Sequence, residues 1–246
     1  MSEELIDKWI EVRKSMAPEI DPKNSALLII DMQEYQVRKE WPPYKLANTM
    51  VPGIFDYFSE QVSNVAEPNI IRLIDLFREK KIKIIYTMFS SFNDDGSDLA
   101  EQLKRFNEMA KEQFGDVVFP PKDHPGSKII DSIKPHSEDF VVIKNTSGVF
   151  TATNLEIFLY NMGIKQLFVV GVVTNMCVEG SARIGSEYGF DVFIIDDACA
   201  AWTPETHKNT LRSFQMMFGY VMTTDEAIKK IKERANFKTF EPALTK

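Results

Sequence analysis

Three polar side chains in this sequence follow short apolar runs. Asp31 comes after Ala26–Ile30, Lys144 after Phe140–Ile143, and Cys177 stands a short turn beyond Leu167–Val172. Read as chemistry, they are a carboxylate base, an ammonium and a thiol nucleophile. A free thiol has a pKa of about 8.5, so only a few per cent is thiolate at neutral pH. A neighbouring cation and a helix N-terminus both favour the thiolate, and lowering the pKa by roughly 1.5 units takes about 2 kcal/mol of differential interaction. The expectation is a thiol pulled down by Lys144 and by the helix that follows, with Asp31 accepting its proton. Each residue also has an ordinary structural reading: a small core residue for the cysteine, a cap for the aspartate, a solvated group for the lysine. On periodicity alone both readings stay open.

The elements that must position these groups are legible as an alternation. Apolar runs rich in Val and Ile occur at Ala26–Ile30, Ile82–Tyr86, Phe140–Ile143, Leu167–Val172, Val192–Ile195 and Tyr220–Met222. They show little polar alternation, as in strands buried on both faces of a parallel sheet. Helical patterns lie between them: Pro68–Lys80, Leu99–Phe114, Asn154–Asn161 before Gly163, Asn175–Tyr188 before Gly189, Pro204–Phe218 with Thr203 as N-cap, and Thr224–Arg234. Alternating strands and helices predict βαβ units with right-handed crossovers. The predicted fold is α/β: a three-layer, doubly wound sheet of about six parallel strands with helices on both faces. In such sheets function gathers at the C-terminal strand ends, where all three polar residues fall.

Residues 3–16 predict an amphipathic helix with Leu5, Ile6, Trp9, Ile10 and Val12 as its apolar stripe. Residues 1–23 are thus expected to be a helical arm, on the body or on another subunit, and 24–246 a single domain. Residues 32–66, rich in aromatic residues and proline, are longer than an ordinary connection and read as a lid or contact surface.

The bulk numbers narrow the function classes. The chain has 246 residues, 44% of them hydrophobic, and a net charge of −7. An acidic balance argues against nucleic acid as the main partner. No apolar run approaches the roughly 20 residues that span a bilayer, and the charged N-terminus lacks the apolar core of a signal peptide; no membrane partner and a cytoplasmic location are expected. Cys177 and Cys199 make no disulfide framework. His124, His136 and His207 have no metal-ligand spacing, so no metal and no other cofactor is expected. Cys199 reads as structural, His207 as a surface or inter-helix hydrogen-bonding group, and Lys229–Arg234 as a solvated helix face.

Specific strings add to this. Ala26–Asp31 with Met32 and Gln33 resembles the opening strand and D-x-Q of the isochorismatase-like hydrolase superfamily. Val141–Lys144, with Phe150 and Thr153-Asn154-Leu155, resembles its lysine segment. Val170–Glu179, containing Thr174 and Cys177, resembles its cysteine signature, and Arg183, Asp95–Leu99 and Asp196–Ala200 continue the match. The resemblance implies a triad of Asp31, Lys144 and Cys177, a non-proline cis peptide between Val172 and Val173, and an oxyanion hole from the N–H groups of Val173 and Cys177. It also implies a homo-oligomer, dimer or tetramer. The nicotinamidase branch holds a metal through an Asp-x-His and a further His after the second strand; here that place reads Thr87–Phe92, without such ligands. A nucleophilic cysteine favours a C–N bond of a small amide, carbamoyl or ureido substrate. The competing readings are isochorismatase-type ether hydrolysis by Asp31 and a non-catalytic, redox-sensitive binding module. Gln33, Tyr35, Trp41, Phe92 and Phe150 are the candidate substrate contacts, each also readable as core or oligomer contact.

Overall fold

A computed structural model describes residues 2–235. Six strands form one parallel sheet: β1 (Ser25–Ile30), β2 (Lys83–Phe89), β3 (Phe140–Lys144), β4 (Gln166–Val172), β5 (Asp191–Ala200) and β6 (Tyr220–Met222), in the order β3-β2-β1-β4-β5-β6. The chain winds outward from β1 to β3 and then returns to add β4 on the other side of β1. The strand order therefore reverses between β1 and β4, and a crevice opens at their C-terminal ends.

Alternate side chains along each strand feed two cores, because successive residues point to opposite faces. Leu27, Ile29, Tyr86, Phe168, Val170 and Phe193 face one layer, where Ile70, Leu73, Ile74 and Phe77 of α5 (Glu67–Glu79) and Ala227 and Ile231 of α10 (Thr224–Ala235) cover them. Ala26, Leu28, Ile30, Val169, Val192 and Ile194 face the other, under Leu155 and Leu159 of α7 (Leu155–Asn161), Ala182 of α8 (Glu179–Glu187) and Leu211 and Phe214 of α9 (Pro204–Met217). The expected three-layer fold is the observed one. Thr203 caps α9 as expected, accepting the Thr206 N–H at 3.1 Å.

Several boundaries differ for tertiary reasons. Strand β2 runs on to Phe89 because its end pairs with β3 in register Phe89↔Lys144. Strand β5 runs to Ala200 because, past an irregularity between Val169 and Gly171, its end rejoins β4 as Gly171↔Cys199 and Val172↔Ala200. Gly171 has φ +110°, and a Cβ there would lie 2.1 Å from the Ile30 carbonyl oxygen, so only glycine lets β1 and β4 close at this level. Residues 32–66 are not an open loop. They carry α2 (Glu34–Val37), α3 (Pro42–Met50) and α4 (Asp56–Gln61), the last continuing through a π turn, Val62–Ala66, into α5. A longer helix, α6 (Glu101–Phe114), follows β2.

The N-terminal helix α1 (Ser2–Ser15) packs on α9 of its own chain. Ile10 is buried, Trp9 Nε1 donates to the Met216 carbonyl at 2.9 Å, and the Arg13 guanidinium lies 5.3 Å from the Tyr220 ring centre. Leu5, Trp9, Val12 and Met16 remain exposed. No helix among the described residues is long and apolar enough to cross a membrane.

Candidate active site

Asp31 is the first residue after β1, with a left-handed backbone (φ 49°) that turns the chain sharply at the sheet edge. Its carboxylate is fully buried. Oδ1 accepts the Thr87 hydroxyl at 2.5 Å, Oδ2 accepts the Lys144 ammonium at 2.6 Å, and the Asp31 N–H donates back to Thr87 Oγ1 at 3.1 Å. Thr87 stands on the neighbouring strand β2, so strand pairing itself sets this contact.

Lys144 ends β3, two strands away, and is also fully buried. Its ammonium donates further to the Thr146 carbonyl at 3.1 Å and lies 4.9 Å from the Phe89 ring centre. Burial pulls its pKa down, but Asp31 and the Cys177 thiol outweigh this and hold it above its ordinary value. A buried ion pair with both members hydrogen-bonded is stable; either member alone would be a costly buried charge.

Cys177 lies in a π turn, Thr174–Val178, that leads from β4 into α8. The turn closes where the Val173 carbonyl accepts the N–H groups of Met176 (2.9 Å) and Val178 (3.3 Å). The peptide between Val172 and Val173 is cis. Cys177 is half-buried, with the Ser147 hydroxyl 3.8 Å from its sulfur and the charges of Asp31 and Lys144 both acting on the thiol. The expected downward shift of the thiol is not found. Burial, and then the Asp31 carboxylate, push its pKa up to about 12 against the opposing pull of Lys144. The physical reason is that Lys144 is already neutralised by Asp31, so the thiol faces a buried ion pair rather than a free cation. The resting group is a thiol beside a ready proton acceptor.

Next to this cluster lies an apolar cavity of about 240 Å³. Val173, just before the turn that carries Cys177, and Met176, inside that turn, form one wall. Leu46, Ala47 and Met50 of α3, Phe55 and Phe58 around α4, and Phe106, Phe119 and Trp202 form the rest. Phe55 and Trp202 meet edge to face at 4.7 Å. The long segment 32–66 is thus a helical wall of this cavity.

Among the five expected substrate contacts, only Tyr35 lines the cavity. Its hydroxyl donates to the Phe89 carbonyl at 3.0 Å, and burial, then the charges of Asp31 and Cys177, keep the phenol protonated. The other four stand outside it. Gln33 is fully buried and spends its amide on the protein, accepting the Phe89 N–H at 2.7 Å and donating to the Ser127 carbonyl at 2.8 Å. It ties the edge of β1 to that of β2 and has no free amide to offer. Trp41 packs against His124 and Gly126 outside the cavity. Phe92 is exposed, and its backbone N–H is held by Asp98. Phe150 is buried in the core, stacked on Phe190. An aromatic type alone does not tell which face of an element it occupies.

Other residues of the site were missed as such. Thr87, Ser147 and Asn145 gave no pattern of their own, although Thr87 stands at a strand end beside Asp31, which is a usable signal. Asp98 accepts from the N–H groups of Phe92 (2.9 Å) and Asn93 (3.2 Å), from Asn145 Nδ2 (3.0 Å) and from the Ser91 hydroxyl. It ties the loop after β2 to the residue following Lys144. Burial pushes its pKa up, but these hydrogen bonds win and lower it to about 2. His207 bridges Asp196 of β5 (2.8 Å) and Thr174 (2.9 Å), bracing the cysteine turn from α9. Asp197 accepts the Thr224 N–H and hydroxyl at 2.7 Å, which caps α10. Cys199 is buried in the core, where desolvation pushes its thiol well up.

A metal of the nicotinamidase kind does not fit these residues. The stretch after β2 offers Phe89, whose ring lies under the Lys144 ammonium, and Ser91, whose hydroxyl is turned to Asn93 and Asp98. Among the described residues no three His, Cys, Asp or Glu side chains are grouped to hold a metal ion.

The family model for the isochorismatase domain matches residues 25–226. Nicotinamidase 3 of Arabidopsis thaliana is 30% identical over 198 residues, covering 79% of this chain and 93% of that protein. Ureidoacrylate amidohydrolase RutB of Acinetobacter baylyi is 26% identical, covering 86% of this chain and 85% of its own length. The crystal structure of a cysteine hydrolase from Pseudomonas syringae pv. phaseolicola superposes with a TM-score of 0.71 at 22% identity, covering 88% of this chain and 96% of that one, and so shares the fold. With the domain matched over most of its length, the chain belongs to the isochorismatase family.

Proposed function

We propose that the protein is a cysteine hydrolase that cleaves a C–N bond of a small amide, carbamoyl or ureido substrate. The observation that carries this is the fully buried Asp31–Lys144 pair at the switch point of the sheet, with the Cys177 thiol close enough to feel the charge of both members. The relatives named as a nicotinamidase and a ureidoacrylate amidohydrolase support the same class.

In this reading Asp31 takes the thiol proton as sulfur attacks the carbonyl carbon. The N–H groups of Val173 and Cys177 stabilise the resulting oxyanion, a contribution typically worth about 3–4 kcal/mol. The C–N bond breaks, and Asp31 passes the proton to the leaving nitrogen. A water then gives its proton to Asp31 and its hydroxyl to the thioester carbon; the acid departs and sulfur recovers the proton. Lys144 remains an ammonium throughout. It balances the negative charge as this moves between carboxylate and sulfur.

Ether hydrolysis centred on Asp31 would leave Cys177 idle. The test is ammonia release by the wild type, Cys177→Ser and Cys177→Ala across ureido acids, carbamoyl amino acids and amides. Loss in both variants is expected, and unchanged turnover in both would remove the nucleophile. Iodoacetamide labelling of Cys177 should abolish activity as well.

The protein is further proposed to be a cytoplasmic homo-oligomer, dimer or tetramer. Exposed apolar side chains on α1 (Leu5, Trp9, Val12) and α7 (Ile157, Phe158, Tyr160) support association. Sedimentation equilibrium should give a mass at least twice that of the chain.

A further inference from the structure

We infer that the substrate carries an uncharged, apolar group about the size of one aromatic ring on its scissile carbonyl, and that this group fills the cavity beside Cys177. The inference rests on the C–N hydrolase reading and narrows it. The cavity begins at Val173, which opens the nucleophile's turn, and at Met176, the neighbour of Cys177 within it, so a carbonyl at Cys177 projects its substituent into it. The walls are side chains of Leu46, Ala47, Phe55, Phe58 and Phe119, and no charged side chain among the described residues lines it. Among its few polar groups, the Tyr35 hydroxyl donates to the Phe89 carbonyl, and Gln36 Nε2 donates to the Tyr35 hydroxyl at 3.1 Å.

Size and polarity both decide the occupant. An apolar cavity of about 150 Å³ lined by Leu, Ile and Phe takes up benzene, so a volume of about 240 Å³ holds a ring with a short arm. A carboxylate placed there would lose its hydration with no cation in the lining to replace it. The three cations nearest in function are unsuitable: Lys144 is paired with Asp31 beneath the site, Lys39 lies over the Tyr44 ring 5.3 Å away, and Arg38 is paired with Glu67. A ureido acid or carbamoyl amino acid therefore meets the wrong wall, whereas an aryl or arylalkyl amide meets a matching one. Exposed Met50, Phe106 and Met176 border the same cavity and extend its apolar character to the mouth.

The experiment compares kcat/KM for ammonia release from acetamide, phenylacetamide and N-carbamoylglycine. Each buried methylene is worth roughly fourfold, so phenylacetamide should exceed acetamide at least tenfold, and N-carbamoylglycine should be slower than phenylacetamide by more. Ala47→Trp, which fills the cavity from α3, should lower the phenylacetamide-to-acetamide ratio at least fivefold, with circular dichroism checking its fold. In parallel, Cys177→Ala is titrated with phenylacetamide and N-carbamoylglycine, following the melting temperature. Stabilisation by phenylacetamide alone supports the inference even without turnover. If no amide is hydrolysed while phenylacetamide still binds selectively, the hydrolase reading falls and the cavity assignment stands. Turnover or binding of acetamide or N-carbamoylglycine as good as that of phenylacetamide overturns the inference while hydrolysis itself stands; binding of neither titrant also overturns it.

Discussion

Replacing Asp31 by asparagine should stop turnover and at the same time make Cys177 easier to alkylate. The carboxylate is the second cause, after burial, that pushes the thiol up to about 12, while Lys144 and the Ser147 hydroxyl pull it down. In Asp31→Asn burial alone opposes those two groups, so the thiol pKa falls. At pH 8 a thiol of pKa about 12 is thiolate in about one part in 10,000, and one at the ordinary 9.0 in about one part in ten. The weaker nucleophilicity of a less basic thiolate returns a factor of about 16–32 over that range. A complete return to the ordinary value would therefore raise alkylation about 30–60-fold, and at least tenfold is expected. Loss of a general base should cut ammonia release by at least about 100-fold. The assay is the pseudo-first-order rate of iodoacetamide labelling at pH 8, read by mass spectrometry on the Cys177 peptide beside wild type, with circular dichroism to show that the variant is folded. A folded Asp31→Asn protein that labels no faster than wild type would refute the argument, because the carboxylate would then not be what keeps the thiol protonated.

Three further outcomes follow from the same geometry. Gly171→Ala should lose at least about 3 kcal/mol in urea unfolding, since its Cβ would lie 2.1 Å from the Ile30 carbonyl at a φ of +110°; a loss under 1 kcal/mol would show that β1 and β4 can part there. Thr87→Val removes a hydroxyl that both donates to Asp31 Oδ1 and accepts its N–H, and should cost about 1–3 kcal/mol together with a measurable fall in kcat. Asp98 has a folded pKa lowered to about 2 from 3.8, so its contribution is complete above about pH 4 and disappears as pH falls through 2. Asp98→Asn should accordingly destabilise the protein by about 1–2 kcal/mol at pH 7 and by much less at pH 2, measured as the midpoint of denaturant unfolding at each pH.

Much of this protein was legible from residue order alone. The Val- and Ile-rich runs named all six strands because strands buried on both faces need continuous apolar sequence, and the helices between them dictated parallel pairing. Asp31, Lys144 and Cys177 could be picked out because each stands where its strand has ended and the chain has reached the sheet edge. What sequence could not decide was how these groups feel one another. Lys144 was expected to activate the thiol, but pairing at 2.6 Å commits its charge to Asp31 and leaves the sulfur protonated. Charge effects depend on distance and burial, and neither is written in the spacing of residues 31, 144 and 177.

The aromatic residues make the same point. Tyr35 and Phe150 looked equivalent as substrate contacts, yet one lines the cavity and the other lies in the core beside Phe190. The cavity is assembled from α3, the region of α4, α6, the cysteine turn and Trp202, segments up to about 160 residues apart whose packing alone creates an apolar space beside the nucleophile. The order of residues thus determined the sheet and which groups stand at its edge. Tertiary packing decided their protonation and the kind of surface that faces them, because both depend on which side chains exclude water from the same small volume.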